Sequence, residues 1–151
     1  MSDHWIRIIP ENPDFVPDDA SQQSAVSYFR RLAPNADDVR VTSSDRIVFK
    51  DCGGNFESIA CSACGADFEV EQWQDWMDED YDGEGFILTE RPMPCCSARR
   101  TLQQLRYSFP QGFGRFEVSA MNPQLGELSE EQSNQFQQIL GCPIRVIYRH
   151  L

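Results

Sequence analysis

Cysteines at metal-ligand spacing are the residues of this chain best suited to chemistry. Cys61 and Cys64 are separated by two residues, and Gly65 follows them directly. Two thiolates at this spacing can bind one tetrahedral metal ion from a tight turn, and the glycine gives the backbone freedom that lets amides point at the sulfurs. A second pair, Cys95-Cys96, follows Pro92-Met93-Pro94, where a turn can direct both sulfurs to the same ion. We therefore predict a closed Cys₄ site formed by Cys61, Cys64, Cys95 and Cys96.

The sequence from about residue 56 to residue 100 resembles the zinc-ribbon proteins, in which two cysteine pairs on two turns bind one structural zinc ion. The turn from Cys61 to Gly65 carries the likeness, together with the Cys95-Cys96 pair. The resemblance implies bound Zn²⁺ and a scaffold, but no particular activity. Four thiolates leave no open coordination position, so such a zinc would stabilise the fold rather than act on a substrate. Cys52 could replace one ligand, and Cys142 is expected in the core.

An acidic loop offers a second metal-binding pattern. Asp78, Asp80 and Asp82 alternate along the chain and Gly83 follows them, as at the start of a calcium-binding loop. The match then ends, because Thr89 stands at the twelfth position, where such loops place a bidentate glutamate. The pattern favours a solvated acidic turn, with Ca²⁺ binding as the alternative.

The charge of the chain is concentrated near these motifs. The 151 residues carry a net charge of −11, which argues against non-specific binding to nucleic acids or anionic membranes and permits a basic protein partner. Residues 51–90 contain twelve acidic and no basic residues, whereas residues 91–115 contain five arginines and no acid. The candidate partner-binding residues are Glu71, Asp75, Asp78, Glu79, Asp80, Asp82 and Glu84.

The function that this pattern favours is a non-enzymatic, zinc-binding protein-interaction module. Its acidic face would dock or neutralise a basic protein, as immunity proteins and nuclease inhibitors do. The alternative is a metal-dependent enzyme or a calcium-responsive protein that uses Asp78, Asp80 and Asp82. Four aromatic residues near the acids could serve as partner anchors or pack in the core: Trp73, Trp76, Tyr81 and Phe86.

The remaining sequence provides the elements that must hold these motifs. Alternating apolar residues predict strands at 5–9, 116–120 and 144–148. One helix is predicted after Pro17-Asp18-Asp19, up to about residue 32. A second is predicted from Ser129, which with Gln132 forms a capping box, to an end at Gly141. Val39-Arg40-Val41 and Ile47-Val48-Phe49 are predicted to form a hairpin around a turn at 42–45.

This order predicts an α+β fold, in which a small antiparallel or mixed sheet carries two helices on one face in a split βαβ-like layer. We expect a single domain over residues 1–151 that contains a zinc-stapled acidic insert at 51–112. His4 and His150 should lie close together if the terminal strands are neighbours. The N-terminus lacks the features of a signal peptide and no apolar stretch reaches membrane-spanning length, so a cytoplasmic location is expected.

Overall fold

The computed structural model describes residues 2–151. The strands are β1 (His4–Pro10), β2 (Asp38–Lys50), β3 (Ile59–Ala60), β4 (Asp67–Phe68), β5 (Arg91–Pro92), β6 (Arg99–Arg100), β7 (Arg106–Tyr107), β8 (Gly112–Met121) and β9 (Ile144–His150). The helices are α1 (Asp19–Leu32), α2 (Val70–Asp80) and α3 (Glu130–Leu140), and a short 3₁₀ turn spans Leu102–Gln104. Within these residues, no helix is both long enough and apolar enough to cross a membrane.

The main sheet has four strands in the order β2-β8-β1-β9, and each strand is antiparallel to its neighbours. Helix α1 joins β1 to β2, which are separated by β8, and α3 joins β8 to β9, which are separated by β1. This is a split βαβ arrangement. The predicted α+β class is therefore confirmed.

Both main helices pack on one face of this sheet because the strand residues alternate between its two faces. Even-numbered residues of β1 and β8 enter the core with Phe29 of α1 and Phe136 of α3, whose ring centroids are 5.0 Å apart. The helix ends follow local rules: the Asp18 side chain accepts a hydrogen bond from the Ser21 amide, and Gly141 ends α3 in the left-handed conformation. The predicted capping box at Ser129 is present.

The predicted hairpin at 39–49 is wrong, because β2 is one continuous edge strand along β8. Ser43 pairs with Phe116 and Val48 pairs with Gly114, so four residues of β2 lie opposite Arg115 alone. The Arg115 Nε donates a hydrogen bond to the Ser44 carbonyl at 3.0 Å. The turn-forming residues are thus accommodated as an irregularity in an edge strand, where ladder hydrogen bonds are needed on one side only.

Residues 51–111 form an insert that leaves from β2 and returns to β8 where Lys50 pairs with Gly112. The insert contains strands β3 to β7, helix α2 and an apolar core of its own, to which Phe113 of β8 contributes. Part of the insert covers the face of the main sheet opposite α1 and α3, where Cys52 packs with Ile9 and Ile147. The core of the insert is therefore continuous with residues of the main sheet.

The terminal strands are neighbours, which is the condition under which His4 and His150 were expected to lie close together. His4 of β1 pairs directly with His150 of β9, and their Nδ1 atoms are 3.0 Å apart. Both residues lie at the end of the sheet.

Candidate metal centre

The first cysteine pair lies on the hairpin formed by β3 and β4. The Cys61 amide donates a hydrogen bond to the Ala66 carbonyl at 2.8 Å, and the Gly65 amide donates to the Cys61 carbonyl at 2.9 Å. Gly65 has a φ of +80°, which closes this tight turn at little steric cost. The Ala63 amide lies 3.4 Å from the Cys61 sulfur and donates to it. The turn therefore places backbone donors around the first sulfur.

The second pair lies on the hairpin formed by β5 and β6, which has the same backbone pattern thirty-two positions later. The Met93 amide donates to the Ala98 carbonyl at 2.8 Å, and the Ser97 amide donates to the Met93 carbonyl at 2.8 Å. Ser97 adopts a positive φ of 64°, as Gly65 does in the first turn. The two hairpins are thus structural repeats of one turn.

The matching backbone hydrogen bonds of the two hairpins define which of their residues correspond. Met93 stands where Cys61 stands in the first turn, and Cys96 stands where Cys64 stands. Cys95 corresponds to Ala63, a position without a sulfur in the first turn. The second turn therefore has a methionine at the first-cysteine position, and Cys95 brings the fourth sulfur from two residues further along.

The structure brings together the four predicted cysteines: Cys61, Cys64, Cys95 and Cys96. All four Sγ atoms lie within 4.8 Å of one another, and no disulfide joins them. The Sγ atoms of Cys61 and Cys96 are 3.8 Å apart, and those of Cys64 and Cys95 are 3.3 Å apart. Four sulfurs at about 2.3 Å from a tetrahedral zinc are separated by about 3.8 Å, so this group fits a Zn²⁺ ion.

The four cysteines differ in their exposure and electrostatics. Cys61 is buried at the edge of the insert core, whereas the other three are exposed. Backbone amides of Cys64 and Ala63 lower the pKa of Cys61 to about 6. Loss of hydration and the neighbouring sulfurs raise the pKa of Cys95 to about 12. The cluster is thus closed by the core on one side and open to solvent on the other.

Two arginines of the segment after residue 90 lie beside the first turn. The Arg100 Nε donates to the Ser62 hydroxyl at 3.1 Å. A guanidinium nitrogen of Arg106 lies 4.0 Å from the position that a Cβ at Gly65 would occupy. A Zn²⁺ ion bound by four thiolates would carry a net charge of −2, and cations in this position would offset part of it.

The remaining two cysteines lie outside this group. Cys52 is fully buried and its sulfur lies 3.4 Å from Oε1 of Gln111, to which it donates. Cys142 is half-buried against the main core. Cys52 therefore does not replace a ligand in this structure, and Cys142 packs in the core as expected.

The acidic loop uses Asp80 for a structural purpose. Asp80 is only 3% exposed. Its carboxylate accepts hydrogen bonds from three successive backbone amides, those of Ile87, Leu88 and Thr89, at 2.8–3.0 Å. Asp78, Asp80 and Asp82 do not form a metal-ligand group among the residues that the structure describes. The geometry therefore gives the alternative of a Ca²⁺ site no support.

Six of the seven candidate partner-binding residues are exposed, and the exception is Asp80, which is a correction to that set. Ion pairs involve three of the exposed residues: Glu79 with Arg91, and Asp82 and Glu84 with Arg46. Among the candidate aromatic anchors, Trp73 and Trp76 are buried in the insert core and Phe86 is half-buried. Tyr81 alone of the four is substantially exposed, at 48%.

Sequence reasoning missed the position of Met93. The sequence contains one sign that Met93 corresponds to Cys61. Ala98 follows Met93 by five residues, just as Ala66 follows Cys61 by five residues. That signal becomes visible only once the two hairpins are recognised as equivalent.

No protein-family model, curated protein or solved structure matches this chain. The cysteine cluster and the exposed acidic residues of α2 are the features of the molecule that bear on its function.

Proposed function

We propose that this chain is a zinc-binding protein-interaction module, in which a structural Zn²⁺ stabilises the insert and the acidic surface of α2 docks a basic protein. The observation that supports the zinc ion is the near-tetrahedral spacing of the four sulfurs, Cys61, Cys64, Cys95 and Cys96. Thiolates are soft ligands that favour Zn²⁺ over Mg²⁺ or Ca²⁺.

The role of this zinc ion is to stabilise structure. Four thiolates fill its coordination sphere and leave no position for a substrate or a reactive water. The strands of the two hairpins are only two residues long each, so the cross-link between the hairpins substitutes for an extended sheet.

Metal analysis of the purified protein tests the zinc ion. We expect one equivalent of zinc per chain in the wild type and in Cys142→Ser, and a large loss in Cys64→Ser. Less than half an equivalent of zinc in the wild type, measured after reconstitution with ZnCl₂ and desalting, would overturn the proposal. Equal zinc content in Cys64→Ser and the wild type would contradict the assignment of the ligands.

The docking surface is narrower than the whole acidic segment. Glu71, Asp75 and Asp78 are spaced by four and three residues on α2, so they share one face of the helix. All three are exposed, and none forms an ion pair with any residue from 2 to 151. Unpaired carboxylates on one face attract a cationic partner and raise its association rate, as in immunity proteins and inhibitors of nucleases.

Affinity capture from the native cell tests the docking surface, with two triple variants compared. Neutralising Glu71, Asp75 and Asp78 as E71Q/D75N/D78N should abolish the recovery of a basic protein that the wild type retains at low salt. The matched control D14N/D45N/E127Q removes the same charge from exposed sites elsewhere and should retain the partner. Equal recovery by both triple variants would refute the α2 surface, without affecting the zinc assignment.

A further inference from the structure

A polar hollow of about 420 Å³ lies on the face of the main sheet opposite α1 and α3, beyond the part covered by the insert. Strand register places its lining side chains in two rows across the sheet. One row contains Asp38, Met121, Trp5 and Arg149, and the next contains Arg40, Ser119 and Arg7. Ser119 has the smallest side chain in either row, so it forms the floor of the hollow.

The carboxylates in and below this hollow are already paired. Glu117 accepts two hydrogen bonds from Arg7, at 2.8 and 2.9 Å, and one from the buried Lys50 at 2.8 Å. Asp51 accepts from Arg7 at 3.1 Å and from Arg149 at 3.2 Å. The negative charges of these two acids are therefore offset by neighbouring cations.

Several cationic donors in the hollow remain available. Arg40 uses Nε to pair with Asp38, its side chain is 70% exposed, and its two terminal nitrogens have no partner within residues 2–151. Arg149 likewise uses Nε for Asp51, while its guanidinium lies over the Trp5 ring at 4.6 Å. The local balance is four cations, Arg7, Arg40, Lys50 and Arg149, against three carboxylates, on a chain whose net charge is −11.

The walls of the hollow define the remainder of the ligand. Met121 and Trp5 pair directly across β8 and β1 and are both half-buried, so they present an apolar surface next to the polar floor. Arg40 pairs directly with Ser119 across β2 and β8, so both side chains leave the same face of the sheet from neighbouring backbone positions. The strongly negative chain penalises a dianion more than a monoanion.

We propose that this hollow binds a small aromatic monocarboxylate. The Arg40 guanidinium and the Ser119 hydroxyl donate to the carboxylate, and the ring packs on Met121 and Trp5. Arg149 contributes positive potential from the far rim and holds the Trp5 ring in place. This site is independent of the cysteine cluster and of the acidic surface of α2.

Titration of the zinc-loaded protein with benzoate tests the proposal, with the three tryptophan indole N–H signals followed by ¹H–¹⁵N NMR. We expect the Trp5 signal to shift saturably in the low millimolar range and the signals of Trp73 and Trp76, buried in the insert, to stay unchanged. Benzamide, which has the same shape without the charge, should bind at least tenfold more weakly. Equal binding of benzamide, tighter binding of inorganic phosphate, or an unchanged Trp5 signal would overturn the proposal.

Variants assign the binding to these residues. Arg40→Gln should weaken benzoate binding about tenfold because it removes a charge-assisted hydrogen bond, whereas Arg30→Gln on the exposed side of α1 should not change it. Ser119→Val should abolish binding by filling the floor with a side chain that suits a strand. Wild-type affinity in Arg40→Gln would refute the site even if Ser119→Val failed to fold, because Arg40 is exposed and its substitution leaves the core intact.

Discussion

Moving one cysteine by two positions tests whether the two hairpins are equivalent. Met93 occupies the position of Cys61 in the second turn, so Met93→Cys should place a thiol where the first turn has one. Cys95→Ser removes the sulfur that the natural sequence uses in its place. We expect the double variant M93C/C95S to bind one zinc ion through four thiolates and the single variant Cys95→Ser to bind it through three.

The expected magnitudes follow from the ligand count and from burial. Structural zinc sites bind with about 10–16 kcal/mol, so each of four ligands contributes about 3 kcal/mol and its loss weakens binding roughly a hundredfold. Met93 is only 1% exposed, and shortening it to cysteine removes about two methylene-sized groups from the core. That change should destabilise the metal-free protein by about 2 kcal/mol. The double variant should therefore regain zinc affinity while its metal-free form stays less stable than the wild type.

Cobalt substitution combined with chelator competition measures both effects. The intensity of the thiolate-to-Co²⁺ charge-transfer band reports the number of sulfur ligands, and competition with a zinc chelator gives the relative affinities. Cys142→Ser is the control, because Cys142 lies outside the cluster and should leave both readouts unchanged. Zinc affinity of Cys95→Ser equal to that of the wild type would refute Cys95 as a ligand. Affinity of the double variant equal to that of Cys95→Ser would refute position 93 as a ligand position equivalent to Cys61.

Three further predictions concern the carboxylates that the fold buries. Glu117→Gln leaves the Lys50 ammonium buried without its partner. It should lower the free energy of unfolding by about 3–5 kcal/mol, which is roughly 10 °C in Tm measured by calorimetry. The control Asp38→Asn breaks an exposed ion pair and should change the free energy of unfolding by less than about 1 kcal/mol. Burial alone would raise the pKa of Glu117, but its ion pairs with Arg7 and Lys50 keep that pKa below its ordinary value of 4.5. The stability that the ionised carboxylate contributes is complete above pH 4.5 and should be lost as the pH falls through the lower pKa of the folded state. A Tm that stays constant between about pH 5 and pH 3 would contradict this prediction. Asp80→Ala removes the acceptor of three amides at 87–89 and should destabilise the insert by about 3 kcal/mol, with faster hydrogen exchange at those amides and unchanged exchange in β1.

The parts of the fold that sequence predicts well are those that depend on residues near one another in the chain. The ends of α3 at Ser129 and Gly141 follow from capping preferences within a few residues, and both are confirmed. The prediction of a hairpin at 39–49 is wrong because the same polar residues that form a turn can also bulge from an edge strand. Only the pairing of β2 with β8, more than sixty residues away, decides between these outcomes.

The candidate site divides in the same way. The spacing of Cys61, Cys64, Cys95 and Cys96 is a local signal, and the structure brings these sulfurs together. The role of Asp80 was misjudged because nothing in a run of acids marks which carboxylate points inward. The pairing of Arg7 with Glu117 joins residues 110 positions apart, so no sequence window contains it. The hollow beside that pair depends on register between four strands and could not be anticipated.

The return of the insert to its point of departure has a consequence for engineering. Because Lys50 pairs directly with Gly112, a two-residue turn could join β2 to β8 and excise residues 51–111 without changing the strand order. In the intact chain Ile9, Phe113 and Ile147 are fully buried. In the shortened chain they would be exposed to water on one side of the sheet. Such a patch promotes self-association. The insert can therefore be removed without changing the topology, but it covers an apolar face of the sheet. Transferring it to another protein requires a sheet with an apolar face against which the insert can pack.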